Sequence, residues 1–318
     1  METYDMEMIS AEFSGRNYDY FILAPNIERR SRAFFKWSRD KVNCSKYILT
    51  DYINFHQNLS AVQEKDFYKD FEDCINEVFR VNDDNDFFRK MNALNISKTC
   101  KVGVDITGFS VPAVYSLMYY LKNKCGLSAI DVYYTEPRNY IYEEGYFDSY
   151  HPNNNYRICA PVAGYINSGK DQKEVLTLFL GFDGGLADLV YGKLGEEGKE
   201  IIMTIVVNGF PSYTAKLKDV SLFNNDTLIN KFDKSDRMTT TANNPFDTYN
   251  LLCKILKDCG DTLLNICTIG SKPMALGACL FALEHKQDVK VTYPFYKKTK
   301  FDVLEQEGKM WRYGVAFD

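Results

Sequence analysis

Two stretches of this chain start a helix in the same way. ITGFSVPAVYSLMYYL (106–121) and TIGSKPMALGACLFAL (268–283) each leave an apolar run through a glycine. Each then passes small or polar residues and a proline before an apolar helical stretch. Proline suits the first helical turn, where its missing N–H would have no partner. The runs that follow, DVYYTEPRNY (131–140) and KVTYPFYKKT (290–299), share V-x-Y and a proline near the carboxyl end. The distance from the opening apolar run to the glycine is also similar, Phe21 to Gly108 and Leu178 to Gly270. Alternating strands and helices alone are common, but repeated punctuation at matching intervals implies a diverged internal repeat. The expected halves are 1–150 and 151–318.

The first half reads as strand, loop and helix at YFILAPNIERRSRAFF (20–35), then a strand at 46–55. The helical spacing of Phe67, Phe71, Ile75, Val78 and Phe79 predicts a helix over 66–81. VGVDITGF (102–109) reads as a buried strand, 110–126 as a helix capped by Ser110, and 129–137 as a strand. The stretch 138–170 reads as a hairpin insertion with turns at Pro152–Asn155 and Ser168–Asp171. The order then begins again. Strands are expected at 177–181, 200–210, 263–271 and 289–295, and helices after Gly185, at 244–260 with Asn243 or Asn244 near the cap, and at 272–285. MWRYGVAF (310–317) reads as a last edge strand. Strands alternating with helices require crossovers and hence parallel pairing. The expected fold is α/β, two tandem Rossmann-like halves with largely parallel sheets and helices on both faces. Ligands of such sheets sit beyond the carboxyl ends of the strands.

Composition narrows the function. With 45% hydrophobic and 25% charged residues, the chain has globular composition. No apolar run approaches the length of a membrane span, and METYDMEMISAEF lacks the features of a secretory leader. Nine cysteines form no CxxC pair, so reduced thiols in the cytoplasm are expected. A net charge of −5 argues against broad nucleic-acid binding, but leaves room for a small anionic ligand. His56, His151 and His285 have no ligand-spaced partners, so neither metal nor cofactor is expected.

The candidate residues lie in the strand-end loops. Gly270, Ser271 and Lys272, at a helix amino end, offer N–H groups, a hydroxyl and a cation to an anion; the alternative is a tight turn with a solvated lysine. Thr107, Gly108 and Ser110 form the matching loop, where Asp105 is either catalytic or bonded to its own loop. Gly181 and Asp183 form a third loop, the aspartate suited to a ribose hydroxyl. Tyr134, Glu136 and Arg138 place an aromatic face beside an acid and a base, which suits a nucleobase. Glu28, Arg29 and Arg30 follow the first strand, and an arginine there suits phosphate. Lys297, Lys298 and Lys300 read as a solvated run. No nucleophilic triad assembles; Glu136, Asp183 and Asp105 are the carboxylates available to an enzyme.

CTIGSKPMALGACLFAL (267–283) resembles the helix-start motif of CRISPR-associated Rossmann-fold (CARF) domains, and VDITGFSVPAVYSL (104–117) is similar without the lysine. The resemblance implies binding of cyclic or linear oligonucleotide messengers. Related SAVED-like sensors of bacterial anti-phage signalling fuse two such domains in one chain. Carried over, the resemblance places Gly270, Ser271, Lys272, Thr107, Gly108 and Ser110 around the ligand. The first half departs from the pattern at Phe109, where the second has a small residue. The leading expectation is a nucleotide-binding sensor or component of prokaryotic defence, with a nucleotide-like ligand held between the strand-end loops and a possible neighbour-encoded protein partner. The alternatives are a nucleotide- or nucleoside-processing hydrolase or transferase, and an interaction subunit without a small ligand.

Overall fold

The apolar runs that alternate with helices pair as parallel strands in two separate sheets. The computed structural model describes residues 5–10, 16–24, 30–38, 41–52, 77–81, 84–138, 142–143, 146–147, 155–162, 164–166, 173–181, 184–196, 201–210, 215–297 and 307–317.

The first sheet is built from β1 (Asp5–Met8), β2 (Asn17–Leu23), β3 (Asn43–Tyr52), β4 (Glu77–Val81), β5 (Val102–Asp105), β6 (Ala129–Pro137) and β15 (Glu307–Ala316). Its order is β1-β15-β6-β5-β2-β3-β4. The five strands from β2 to β6 are mutually parallel; β15 joins β6, and β1 joins β15, antiparallel. The helices are α1 (Arg30–Ser38), α2 (Asp84–Met91) and α3 (Val111–Asn123). Phe34 of α1 packs on Tyr133 of β6, ring centroids 4.1 Å apart, in a core that includes Phe21, Leu23, Tyr47 and Leu49.

The second sheet is built from β9 (Asn155–Pro161), β10 (Glu174–Leu180), β11 (Ile201–Phe210), β12 (Arg237–Thr241), β13 (Leu263–Thr268) and β14 (Val289–Lys297). Its order is β12-β11-β10-β13-β14-β9, parallel except for β9. Its helices are α4 (Gly184–Glu196), α5 (Ala215–Asn224), the short α6 (Asp226–Ile229), α7 (Pro245–Cys259) and α8 (Lys272–Glu284). A hairpin of β7 (Tyr142–Glu143) and β8 (Tyr146–Phe147) stands apart from both sheets. Right-handed crossovers place α4 and α5 on one face and α7 and α8 on the other. In agreement, α4 packs with α5 and α6, and α7 packs with α8. Every residue of α8 from Pro273 to Leu283 is buried, as expected of a helix apolar on all sides.

Counted among its five parallel strands, each sheet runs third, second, first, fourth, fifth. That is the Rossmann order, so the fold is two Rossmann-like α/β halves. The two helix starts are also superimposable in their local geometry. Ser110 caps α3 at φ −69°, ψ 158°, accepting from the Ala113 N–H, and Ser271 caps α8 at φ −70°, ψ 160°, accepting from Met274 N–H. Asn244, rather than Asn243, caps α7.

Three expectations differ from the structure. Residues 77–81, read as the end of a helix, form β4 beside β3; Phe67, Phe71 and Ile75 lie outside the described residues. Helical spacing there competes with pairing to the open side of β3, and a five-residue run fits either period. The C-terminal run forms an interior strand, β15, between β1 and β6. The compact units are also discontinuous: one comprises Met1–Ala113, Tyr119–Tyr140 and Phe301–Asp318, the other Val114–Met118 and Ile141–Lys300. A division at 150/151 separates β15 from β6, the strand that hydrogen-bonds to it. No helix among the described residues is long and apolar enough to cross a membrane.

Candidate functional site

A 3-2-1-4-5 sheet opens a crevice between its first and fourth strands, where the following loops leave in opposite directions. In the first unit those strands are β2 and β5. A Cβ on Gly108 would lie 1.6 Å from the Ala24 carbonyl oxygen, so the two loops meet backbone to backbone. Glycine is needed there for packing. Asp105 is buried and accepts from the Thr107 N–H at 2.9 Å, bonding its own loop. The Thr107 hydroxyl accepts from the Thr135 N–H at 2.9 Å. Phe109 is 1% exposed and lies near Phe87, ring centroids 6.0 Å apart. Ser110 is exposed, its hydroxyl used as the helix cap. Asp105, Thr107 and Phe109 at this strand end are all buried.

At the end of β6, Tyr134 and Glu136 are buried and Arg138 is exposed. Arg30, at the start of α1, lies over the Tyr134 ring with its guanidinium carbon 5.9 Å from the centroid. It donates to the Thr135 carbonyl at 3.2 Å and more weakly to the Tyr134 hydroxyl at 3.4 Å. The arginine thus occupies an aromatic face that suits a base. Glu28 and Arg29 lie outside the described residues.

In the second unit the crevice lies between β10 and β13. A Cβ on Gly181 would stand 2.8 Å from the Ile269 carbonyl oxygen, and one on Gly270 would stand 2.9 Å from that of Leu180. The glycines again let two loops touch, but the surroundings differ. Gly270, Ser271 and Lys272 are each half-buried at the amino end of α8. The Ser271 hydroxyl donates to the Ala242 carbonyl, tying α8 to the loop after β12. Asp183 lies outside the described residues, as do Lys298 and Lys300.

The structure therefore brings Gly181, Gly270, Ser271 and Lys272 to one strand-end region of the second unit. Thr107, Gly108, Ser110 and Asp105 form the corresponding region of the first. It adds three residues to the second-unit region that the sequence reading passed over. The Gly181 carbonyl accepts from Ser221 Oγ and from Asn225 Nδ2, both at 2.9 Å. Ser221 Oγ also lies 2.7 Å from Asn208 Oδ1. An asparagine closing the apolar run IIMTIVVN (201–208) is the signal available in sequence.

Two polar networks lie away from these regions. Arg312, 1% exposed on β15, bonds Asp5, Glu7 at 3.2 Å and Asp131 at 2.7 Å. Burial draws its pKa down, but hydrogen bonds from Asp5 and Asp131 outweigh this and leave it above the usual arginine value. Tyr18 donates to Asp131 at 2.7 Å and lies 2.6 Å from the Tyr133 hydroxyl, and burial pushes both phenols well above the ordinary tyrosine value. In the second unit Lys290 pairs with Glu174, which also accepts from Asn265 Nδ2 at 2.9 Å.

No protein-family model and no curated protein matches the chain. Among solved structures, the cytoplasmic domain of a prokaryotic cation chloride cotransporter is similar at 10% identity, over 90% of this chain and 98% of that one, with a TM-score of 0.28.

Proposed function

We propose that the protein is a nucleotide-binding component of a prokaryotic signalling or defence system, holding an anionic nucleotide-like ligand at the strand-end region of its second unit. The observation that carries this reading is the difference between two otherwise matching helix starts. In the first unit Phe109 is buried, and Asp105, Thr107 and Thr135 are buried and linked by hydrogen bonds. In the second, Gly270 replaces the aromatic, and Lys272 stands at the first position of α8 beside half-buried backbone. N–H groups at the start of a thirteen-residue helix carry partial positive charge, and a lysine adjacent to them adds a full one. That combination favours phosphate over a neutral ligand.

The test is mass spectrometry of ligands released from the purified protein, followed by thermal shift with mono-, di- and cyclic nucleotides. A ligand at a hundredfold excess over its Kd stabilises the native state by about 2.7 kcal/mol. Lys272→Ala is expected to reduce the shift without lowering the melting temperature of the unliganded protein by more than a degree or two. A blank panel with no co-purified ligand refutes the proposal.

A further inference from the structure

Near the carboxyl end of β11, on its α4 side, lies a buried amide, Asn208, 4% exposed. Asn225, directly after α5, is 1% exposed. Around them the hydrogen bonds are nearly complete. Ser221 shares its one hydroxyl proton between the Gly181 carbonyl and Asn208 Oδ1. Asn225 Nδ2 donates to the carbonyls of Gly181 and Ser221, at 2.9 and 2.8 Å. Two buried atoms then have no hydrogen-bond partner among the described residues, Asn208 Nδ2 and Asn225 Oδ1. Buried amides of this kind are ordinarily satisfied, so a matched pair calls for an explanation.

The pair sits at the amino end of α4. A Cβ on Gly184, the first residue of that helix, would stand 1.7 Å from the Asn224 carbonyl oxygen and 3.3 Å from Asn225 Cα. What is offered is one donor and one acceptor. A hydroxyl meets both, accepting from Asn208 and donating to Asn225. A phosphate oxygen would face the Asn225 carbonyl, and an ammonium would face the Asn208 amide hydrogens, so neither matches both. The position has a second meaning. In sheets of this strand order, the end of the second strand is where a sugar hydroxyl is read, and here β11 is the second strand.

We propose that Asn208 and Asn225 form a subsite for a ribose hydroxyl. The proposal rests on the nucleotide reading above and narrows it to ribonucleotides. The test uses the full chain with the four ribonucleoside 5′-monophosphates and with cyclic diribonucleotides, each against its 2′-deoxy counterpart, and with inorganic phosphate as the anion alone. The ribo form of the best ligand is expected to bind at least about tenfold more tightly than the deoxy form. Asn208→Leu and Asn225→Leu are expected to bring that ratio within about twofold, chiefly by weakening the ribo form. Asn208→Ser, smaller and still polar, gives the same convergence if the leucine variants do not fold. Equal binding of ribo and deoxy forms by the wild type overturns the sugar subsite and leaves the nucleotide reading standing. No binding of any nucleotide overturns both. Variants that lose stability yet keep the wild-type ratio assign the two amides to the fold alone and overturn the subsite.

Discussion

Replacing Glu174 and Lys290, singly and together, tests whether the second sheet is organised around a buried charge pair. The two side chains are 10% and 6% exposed and in direct contact, with Asn265 Nδ2 donating to the same carboxylate at 2.9 Å. Removing one partner strands the other charge in the interior, which costs about 3–5 kcal/mol. Glu174→Leu and Lys290→Met should each fall in that range. Replacing both removes the stranded charge, and apolar substitutes of similar volume are often close to neutral. The Asn265 amide then loses its acceptor, which costs about 1–3 kcal/mol. The double variant should therefore lose about 1–3 kcal/mol, less than either single change. From the low ends, two singles at about 3 kcal/mol and a double at no more than about 3 kcal/mol give a coupling of at least about 3 kcal/mol. Urea unfolding followed by far-UV circular dichroism measures these values. Tryptophan fluorescence supplies a second readout, because Trp37 and Trp311 both belong to the first unit. Coincident transitions by the two signals in the wild type would license a single unfolding free energy. Single variants each costing under about 1 kcal/mol, with additive effects, would refute the reasoning.

Gly108→Ala would drive a methyl group to 1.6 Å from the Ala24 carbonyl oxygen, whereas Gly270→Ala meets backbone only at 2.9 Å. Thermal melting should show a loss of about 1–3 kcal/mol or more for the first and a smaller loss for the second; equal effects would contradict the backbone-contact explanation. Burial pushes the Cys44 thiol up to about 11 from an ordinary value of about 9. The native thiol thus keeps its proton where the unfolded thiol has lost it. Its contribution to stability is fully present below about pH 9 and is lost as pH rises towards 11. Iodoacetamide at pH 8.5 should leave Cys44 unlabelled in the native protein and label it readily in urea; rapid native labelling would contradict the assignment. Arg312→Leu removes the hydrogen bonds to Asp5, Glu7 and Asp131 and leaves Arg16, 4.0 Å from Asp5 and 3.6 Å from Asp131, as the cation beside them. It should cost about 1–3 kcal/mol and speed hydrogen exchange across β1, and unchanged exchange there would show that strand pairing alone holds β1.

The two helix starts were legible because they are written in local chemistry. A proline tolerated only in the first helical turn, a serine able to cap, and an apolar run on either side constrain the backbone within a few residues. The caps at Ser110 and Ser271 consequently match to within a few degrees. Strand order then followed in kind, since parallel neighbours require crossovers of one hand. Residues 211–243 resisted reading because α5, α6 and β12 are short elements with little periodicity, stabilised by what they pack against. Asn208, Ser221 and Asn225 escaped for a related reason. Each is an ordinary polar residue in sequence, and their meaning comes from Ser221 and Asn225 meeting on the Gly181 carbonyl while Ser221 also bonds Asn208.

By itself, then, the sequence determined the α/β class, its two Rossmann-like halves and the starts of α3 and α8, all of which depend on neighbours a few positions apart. Only the tertiary structure decided that β15 returns from the C-terminus to join β6. It alone decided that residues 77–81 pair with β3, and that Phe109 is buried before one helix start while Gly270, Ser271 and Lys272 are half-buried at the other. Those outcomes turn on contacts between residues far apart in the chain, where burial and hydrogen bonding outweigh local preference.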